Sequence, residues 1–274
     1  MKKVSLFALL SSSLAFASSL VTATEIDFTE AEGYNAATLN GQQGWTGSTG
    51  YYIPAWYGET TAANLNFADM YYGGETLDTA AGTITYALDF NFTYDLPTVA
   101  TNINGMSVKL STSSTSANTT NIGLNYSTTG NFVFFYFSGA GSYLAGNGLA
   151  PTALGLNAAT SDYVSDSLRI TVEMTKGATA SDWTLTTTLY NIDTDTVLRT
   201  ISSTAGVTSE AFFSADSIFA GFNSGANSAN GGYSEFNVER FEITSVPEPA
   251  GAGFALGAIG LLFAFWRMRA RKTK

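Results

Sequence analysis

The sequence contains no cysteine and no histidine. Without these side chains there are no disulfide bonds, no zinc sites of the Cys or His type, no Ser-His-Asp triad and no cysteine nucleophile. Proline is scarce, with 5 residues in 274, and charged residues make up only 12% of the chain. Stability must therefore come from a packed core, and any chemistry must use carboxylates, hydroxyls, amides, aromatic rings or the few basic side chains.

The basic residues are few and concentrated at the two ends. Residues 24–245 contain five basic residues against 21 acidic ones, a net charge near −16. The five are Lys109, Arg169, Lys176, Arg199 and Arg240. So acidic a body argues against nucleic acid as a partner, because a nucleic-acid-binding surface needs a basic patch.

Residues 1–23 have the pattern of a secretory signal peptide. A basic start is followed by an apolar stretch and then by small residues. Cleavage after Ala17 or after Ala23 fits the small-x-small rule, and we expect cleavage after Ala23 because a strand can then begin at Glu25. The protein is therefore expected to be exported.

Residues 24–245 have the composition and periodicity of an all-β domain. In TITYALDFNFTY at 83–94, apolar and polar residues alternate throughout. This period of two predicts a half-buried antiparallel strand. The alternation recurs at 106–110, 122–126, 168–174 and 183–189, with segments rich in Ser, Asn and Gly between strands. Many short strands predict a single antiparallel β-sandwich of the jelly-roll type.

One strand pattern contains a break. In FNVERFEIT at 236–244, the apolar residues before and after the Glu-Arg pair have opposite parity. One extra residue near Glu239 or Arg240 would return them to the same face, so the pattern predicts a β-bulge there.

Two further stretches carry a family pattern. They are FTEAEGYNAATLNGQQGW at 28–45 and DSLRITVEMTKGATASDWTLTTTLYNIDTDTVLRTI at 166–201. The second has the pattern of a strand, a loop and a hairpin that turns at Asp193, Thr194 and Asp195. Together they resemble the concanavalin A-like jelly rolls of bacterial surface proteins, LamG-like domains included. The resemblance implies the same β-sandwich for the body.

The segment at 246–274, VPEPAGAGFALGAIGLLFAFWRMRARKTK, has three parts. Pro247, Glu248 and Pro249 come first, an uncharged apolar run continues to Trp266, and a basic end follows. The 17 residues of the run would span about 25 Å as a helix, close to the thickness of a bilayer core. The basic end carries Arg267, Arg269 and Arg271. We expect this end to stay cytoplasmic.

This order of motif, apolar span and basic end resembles the PEP-CTERM sorting signal. The resemblance implies transient anchoring in the inner membrane and recognition by an exosortase-type membrane protease that cuts near the motif. The freed body would then reach the outer surface or the extracellular matrix. A permanent C-terminal transmembrane anchor is the alternative.

The segment EIDFTE contains the only catalytic candidates, Glu25, Asp27 and Glu30. It has the form E-x-D-x-x-E, which resembles the strand motif of the jelly-roll glucanases, where one Glu is the nucleophile and another the acid. Two such carboxyls about 5–5.5 Å apart would support retaining glycoside hydrolysis. The segment directly follows the expected cleavage site and lacks flanking aromatic residues. We therefore expect Ile26 and Phe28 to point inward, the acids to face water, and the protein not to be an enzyme.

Two other sets of residues are candidates for binding. GYYIPAWYG at 50–58 and DMYYGG at 69–74 place aromatic rings beside Gly and Pro, a pattern suited to stacking on sugars. The candidate platform is Tyr52, Trp56, Tyr57, Tyr71 and Tyr72. Asp193 and Asp195 are candidate Ca²⁺ ligands, but two carboxylates are too few for a shell of about 6–8 oxygens. We therefore expect them to be turn formers, because Asp bonds its own backbone there. No other cofactor is expected.

The sequence therefore predicts three parts: a signal peptide at 1–23, a jelly-roll domain at 24–245 and a sorting signal at 246–274. The leading functional hypothesis is an exported, non-catalytic protein of the cell surface or extracellular matrix, with extracellular polysaccharide as a candidate ligand. A lectin-like carbohydrate-binding protein is the first alternative, and a jelly-roll glycoside hydrolase is the second.

Overall fold

The structure is a computed structural model. It describes residues 22–47, 51–52, 62–64, 68–72, 81–95, 103–111, 119–127, 129–138, 141–144, 148–157, 159–160, 163–175, 179, 182, 184–203, 219–224 and 232–247. The predicted signal peptide and sorting signal lie outside these residues, apart from Thr22, Ala23, Val246 and Pro247. Within the described ranges, no helix has both the length and the apolar character needed to cross a membrane.

Strands dominate the described part of the chain, with two short 3-10 helices at Glu30–Glu32 and Pro151–Leu154. The strands are β1 (Thr22–Ile26), β2 (Trp45–Gly47), β3 (Tyr51–Tyr52), β4 (Ala62–Asn64), β5 (Ala68–Tyr72), β6 (Ala81–Asp95), β7 (Ile103–Ser111), β8 (Thr119–Tyr126), β9 (Phe132–Ser138), β10 (Gly141–Leu144), β11 (Leu168–Thr175), β12 (Thr184–Asn191), β13 (Thr196–Ser203), β14 (Phe219–Ser224) and β15 (Gly232–Pro247).

These strands form two sheets. The first has the order β13-β12-β11-β6-β15-β4-β3, with β1 also paired to β15, and the second has the order β10-β9-β8-β7-β14-β5-β2. The strand pairs within both sheets are antiparallel. The predicted all-β, antiparallel class is therefore confirmed, and the arrangement is consistent with a jelly-roll sandwich.

The hydrophobic core lies between the two sheets. Phe92 of β6 and Phe132 of β9 come from opposite sheets, and their ring centroids are 5.6 Å apart. The predicted inward face of β6 is fully confirmed, with every member buried. Its members are Ile84, Tyr86, Leu88, Phe90, Phe92 and Tyr94. The alternation read from the sequence therefore assigned the two faces of this strand correctly, because one face packs on the second sheet while the other remains polar.

The predicted β-bulge is also confirmed. The register between β15 and β6 shifts between Val238 and Arg240, so that Glu239 is the extra residue. The apolar residues on both sides of the bulge are buried. Since an extra residue reverses the alternation, Glu239 and Arg240 are consecutive side chains that both line the outer face of the first sheet.

Strand β1 runs beside the end of β15. Thr22 pairs with Ser245, Ala23 with Thr244, and the pairing continues to Ile26. The strand that was expected to begin at Glu25 therefore begins three residues earlier. Cleavage after Ala23 would remove two paired residues from β1, whereas cleavage after Ala17 would leave the whole strand in place.

Candidate functional site

A row of polar side chains crosses the outer face of the first sheet. Tyr190 on β12 is the cross-strand partner of Arg169 on β11. Arg169 is in turn paired with Asp89 on β6, and Asp89 is paired with Arg240 on β15. Because these four strands are consecutive in the sheet, the four side chains share one face.

Asp89 and Arg169 form the centre of this row. Arg169 donates from Nε to Oδ1 of Asp89 at 2.5 Å and from Nη2 to Oδ2 at 2.6 Å. This is the two-pronged geometry that suits a guanidinium and a carboxylate. Asp89 is only 7% exposed. The hydrogen bond to Asp89 raises the pKa of Arg169, although burial acts in the opposite direction.

Arg240 connects β15 to β1 and to the segment that follows it. Its Nη1 lies 2.7 Å from Oε1 of Glu25, and its Nε donates to Oδ1 of Asp27 at 2.9 Å. Burial lowers the pKa of Arg240, but the hydrogen bond to Asp27 and the nearby carboxylates outweigh it, so the pKa is raised. Glu25 lies directly opposite Glu242 on the paired strand, and its ion pair with Arg240 offsets the repulsion between these like charges.

Hydrogen bonds also connect Glu239, Ser167 and Asp193, which lie beside this row. Oε1 of Glu239 accepts hydrogen bonds from Nδ2 of Asn91 at 2.7 Å and from Oγ of Ser167 at 3.1 Å. The backbone N–H of Ser167 donates to Oδ2 of Asp193 at 3.0 Å. These bonds fix the bulged residue against the turn that follows β12.

Asp193 and Asp195, the candidate calcium ligands, lie in the turn at 192–195 between β12 and β13. The predicted hairpin between β12 and β13 is confirmed, and Asp195 adopts a left-handed backbone with φ of 54°. The side chain of Asp195 accepts a hydrogen bond from the hydroxyl of Tyr190. This bond raises the pKa of Tyr190, because it favours the protonated phenol.

This face of the sheet contains an open groove of about 570 Å³. It is lined by Asp27, Thr29, Asp89, Ser167, Arg169, Tyr190, Ile192, Asp193, Glu239 and Arg240. The volume lies within the range of ligand sites, roughly 300–1,000 Å³. The lining offers carboxylate acceptors, guanidinium and hydroxyl donors and one aromatic ring.

The three weak catalytic candidates do not form an acid–nucleophile pair. Glu25 and Asp27 both bind the same guanidinium, that of Arg240. Glu30 begins the first 3-10 helix, is exposed, and does not line the groove. Ile26 and Phe28 are buried, as predicted. The interpretation of Glu25 as simply solvated was incomplete, because it forms an ion pair.

The candidate calcium ligands have protein partners instead. Asp193 binds the backbone N–H of Ser167, and Asp195 binds Tyr190. In the part of the chain that the structure describes, no group of three or more His, Cys, Asp or Glu residues is arranged to hold a metal ion. Asp193 thus links the turn to the residue before β11, and Asp195 links it to Tyr190 on β12.

The aromatic platform is described only in part. Trp56 and Tyr57 lie outside the described residues. Tyr52 is on β3 of the first sheet, while Tyr71 and Tyr72 are on β5 of the second. The backbones of the predicted platform are thus divided between the two sheets.

The sorting motif begins where the sheet ends. Pro247 is the last residue of β15 and pairs with Ala81 at the start of β6. Glu248 and Pro249 lie outside the described residues, as do the arginines of the basic end. The motif is therefore connected directly to the last strand, without an intervening linker.

Sequence reasoning missed the centre of the groove. The alternation in 83–94 puts Asp89 on the polar face of its strand, and the bulge near Glu239 or Arg240 was predicted, but neither was linked to Arg169 or Tyr190. One available signal was the scarcity of basic residues in the body, because an isolated arginine on the polar face of a strand is expected to meet a carboxylate. Which carboxylate it meets depends on strand order, which the sequence did not provide.

Comparison with known proteins gives no family assignment. No protein-family model and no curated protein sequence matches the chain. Among solved structures, it is similar to arcelin-5, a lectin-like defense protein from Phaseolus vulgaris, with 8% identity, a TM-score of 0.48, and coverage of 83% of this chain and 99% of that one. A winged bean acidic lectin complexed with methyl-alpha-D-galactose gives 10% identity, a TM-score of 0.48 and the same coverage.

A mutant of the GH43 protein BlXynB from Bacillus licheniformis is similar as well, with 7% identity and a TM-score of 0.49. That likeness covers 80% of this chain but only 39% of the other. At such low identities and TM-scores, none of these likenesses identifies a ligand or an activity for this chain.

Proposed function

We propose that this protein binds carbohydrate, without catalysis, in the groove on the outer face of the first sheet. The observation that carries the proposal is the row from Tyr190 through Arg169 and Asp89 to Arg240, fixed across four adjacent strands. Sugar hydroxyls both donate and accept hydrogen bonds, so a wall that alternates carboxylate and guanidinium groups complements them. Tyr190 adds a ring that can stack on a sugar.

The groove is rigid in a way that favours recognition. The four side chains of the central row stand on strands, and each has a hydrogen bond to a residue on another strand or in an adjoining segment. A site that is already ordered loses less conformational entropy when a ligand binds. Tyr190 illustrates this point, since its hydroxyl is bound to Asp195 at the hairpin turn.

The hydrogen bonds also argue against hydrolysis. A glycosidase needs one carboxyl that donates a proton to the leaving oxygen and a second that acts as nucleophile or base. Here Asp89 and Asp27 accept hydrogen bonds from arginines, and Glu239 accepts them from an amide and a hydroxyl. These carboxylates accept hydrogen bonds that connect neighbouring strands and segments, and we assign catalysis to none of them.

We propose further that the protein is exported, anchored transiently in the inner membrane and released by an exosortase-type protease to the outer surface or matrix. The support is the PEP-CTERM pattern of the tail, together with the position of Pro247. Because Pro247 is still paired in the sheet, a cut after it would leave β15 whole. A cut before it would remove part of the paired strand.

Glycan binding is tested with the full-length chain in a mild detergent, applied to an array of bacterial and plant polysaccharides. Tyr190→Ala should weaken binding at least about tenfold, the equivalent of roughly 1.4 kcal/mol. Glu173→Gln is the matched control, because Glu173 is an exposed residue on β11 outside the groove. Unchanged binding by Tyr190→Ala would contradict the site, and reducing sugar released by the wild type would favour the hydrolase alternative.

A further inference from the structure

We propose that the groove selects neutral, hydroxyl-rich oligosaccharides and rejects oligosaccharides of uronic acids. This inference rests on the proposed carbohydrate-binding function and names the ligand class for the same groove. It follows from the charge of the lining, from the way both arginines are occupied, and from the oxygen atoms that remain as acceptors.

The lining carries more negative than positive charge. Four carboxylates stand against two guanidinium groups, an excess of two negative charges; the four are Asp27, Asp89, Asp193 and Glu239. Glu25 adds a further carboxylate 2.7 Å from Arg240. The whole body of the chain is acidic too, with a charge near −16 from five basic and 21 acidic residues. A polyanionic sugar chain would be repelled both on approach and in the groove.

Both arginines are already engaged by protein carboxylates. A ligand carboxylate is recognised best by the fork of N–H groups on a guanidinium. Arg169 directs two of these groups to Asp89, and Arg240 directs one to Asp27 and one to Glu25. A uronate that took the same two N–H groups would have to displace Asp89 from Arg169. That exchange would leave Asp89, which is 7% exposed, with its charge poorly compensated.

The remaining acceptors suit hydroxyl groups. In the part of the chain that the structure describes, both side-chain hydrogen bonds of Glu239 end on Oε1, and that of Asp193 ends on Oδ2. The second oxygen of each carboxylate is therefore an acceptor for a ligand. A sugar hydroxyl can donate to it, whereas a ligand carboxylate can only repel it.

The test uses the full-length chain in a mild detergent and five defined probes of equal length. Cellohexaose, mannohexaose and xylohexaose are neutral, and hexagalacturonate and hexamannuronate are anionic. Isothermal titration calorimetry at low salt should give at least about tenfold tighter binding for the best neutral probe than for either uronate. The difference should shrink at high salt, because exposed charges are then screened within a few ångströms.

Two variants test the role of charge directly. Glu239→Gln and Asp193→Asn each remove one negative charge from the lining, keep a side-chain oxygen, and leave the arginine pairs intact. The double variant, with both substitutions, should lower the ratio of the affinity for neutral probes to the affinity for uronates. Glu173→Gln removes the same charge about four strand positions from Arg169, roughly 13 Å away, and should leave the ratio unchanged.

The outcomes separate the inference from the function on which it rests. Equal or tighter binding of a uronate that is lost in Tyr190→Ala would overturn the neutral preference while the groove remains the binding site. Binding of neither class would overturn the proposed function as well. A preference for neutral probes that the double variant does not narrow would contradict the electrostatic cause.

Discussion

Removing Arg169 should cost more stability than removing Asp89, although the same two hydrogen bonds are lost. Arg169→Ala leaves behind the carboxylate of Asp89, a residue that is 7% exposed in the intact protein. Its other neighbour in the row is Arg240, whose guanidinium is bound to Asp27 and Glu25. Asp89→Ala instead leaves Arg169, whose side chain is 32% exposed and can turn to water. A charge that is left buried is far more costly than one that can be rehydrated.

The magnitudes follow from this asymmetry. Loss of a fully buried partner costs about 3–5 kcal/mol, whereas exposed pairs contribute about 0–1 kcal/mol. Since Arg169 lies between these limits, we expect about 2–3 kcal/mol for Arg169→Ala and about 1–2 kcal/mol for Asp89→Ala. The double variant should cost less than the sum, with a coupling free energy of about 1–2 kcal/mol.

Equilibrium urea unfolding of the four proteins measures this cycle. Tryptophan fluorescence provides the signal, because Trp45 is completely buried and packs against Phe28, Phe222 and Phe241. Glu173→Gln, on the same strand as Arg169, is the control and should change stability by less than about 0.5 kcal/mol. A coupling free energy near zero, or a larger cost for Asp89→Ala than for Arg169→Ala, would refute the reasoning.

Three further predictions concern the core, the hairpin and the chain ends. Phe90→Ala should destabilise the protein by about 3–5 kcal/mol in the same urea assay, since Phe90 is 0% exposed; a cost below about 1 kcal/mol would contradict the sandwich core. Tyr190 should ionise above the usual pKa of about 10, because its donor proton is held by Asp195. That bond persists below pH 10 and is lost as the pH rises through the raised pKa. The absorbance difference at 295 nm between wild type and Tyr190→Phe should show this, and Asp195→Ala should lower the pKa. Mass spectrometry of the exported protein should find an N-terminus after Ala17, which keeps β1 whole. It should find a C-terminus just beyond Pro247 only in a host with its exosortase; a chain ending at Lys274 in that host would favour the permanent anchor.

The sequence predicted the faces of individual strands well. Alternation in 83–94 identified the buried side of β6, and the parity break in β15 located the bulge near Glu239 or Arg240, where the register does shift. Both features depend on local periodicity, which the pleat of a strand makes directly visible. The beginning of β1 was missed by three residues, because no local pattern records that Thr22, Ala23 and Thr24 pair with the end of β15.

The groove was not predictable in the same way. Arg169 and Asp89 are 80 residues apart, and Glu239 and Ser167 are 72 apart. No local pattern records that β11, β6 and β15 are neighbours. The spacing instead suggested Glu25, Asp27 and Glu30, but Glu30 begins a 3-10 helix and does not join the other two at Arg240. Residue spacing alone could not show that Arg240 binds the first two acids.

The central claim is that carbohydrate binds in the groove, and locating a bound glycan on the protein tests it most directly. Hydrogen–deuterium exchange of the full-length chain, with and without the best ligand from the array, reports which backbone segments become protected. Binding in the groove predicts slower exchange in peptides that cover 166–174, 190–196 and 237–242. Protection confined to 50–58 and 69–74, the segments of the aromatic platform, would contradict the groove as the binding site.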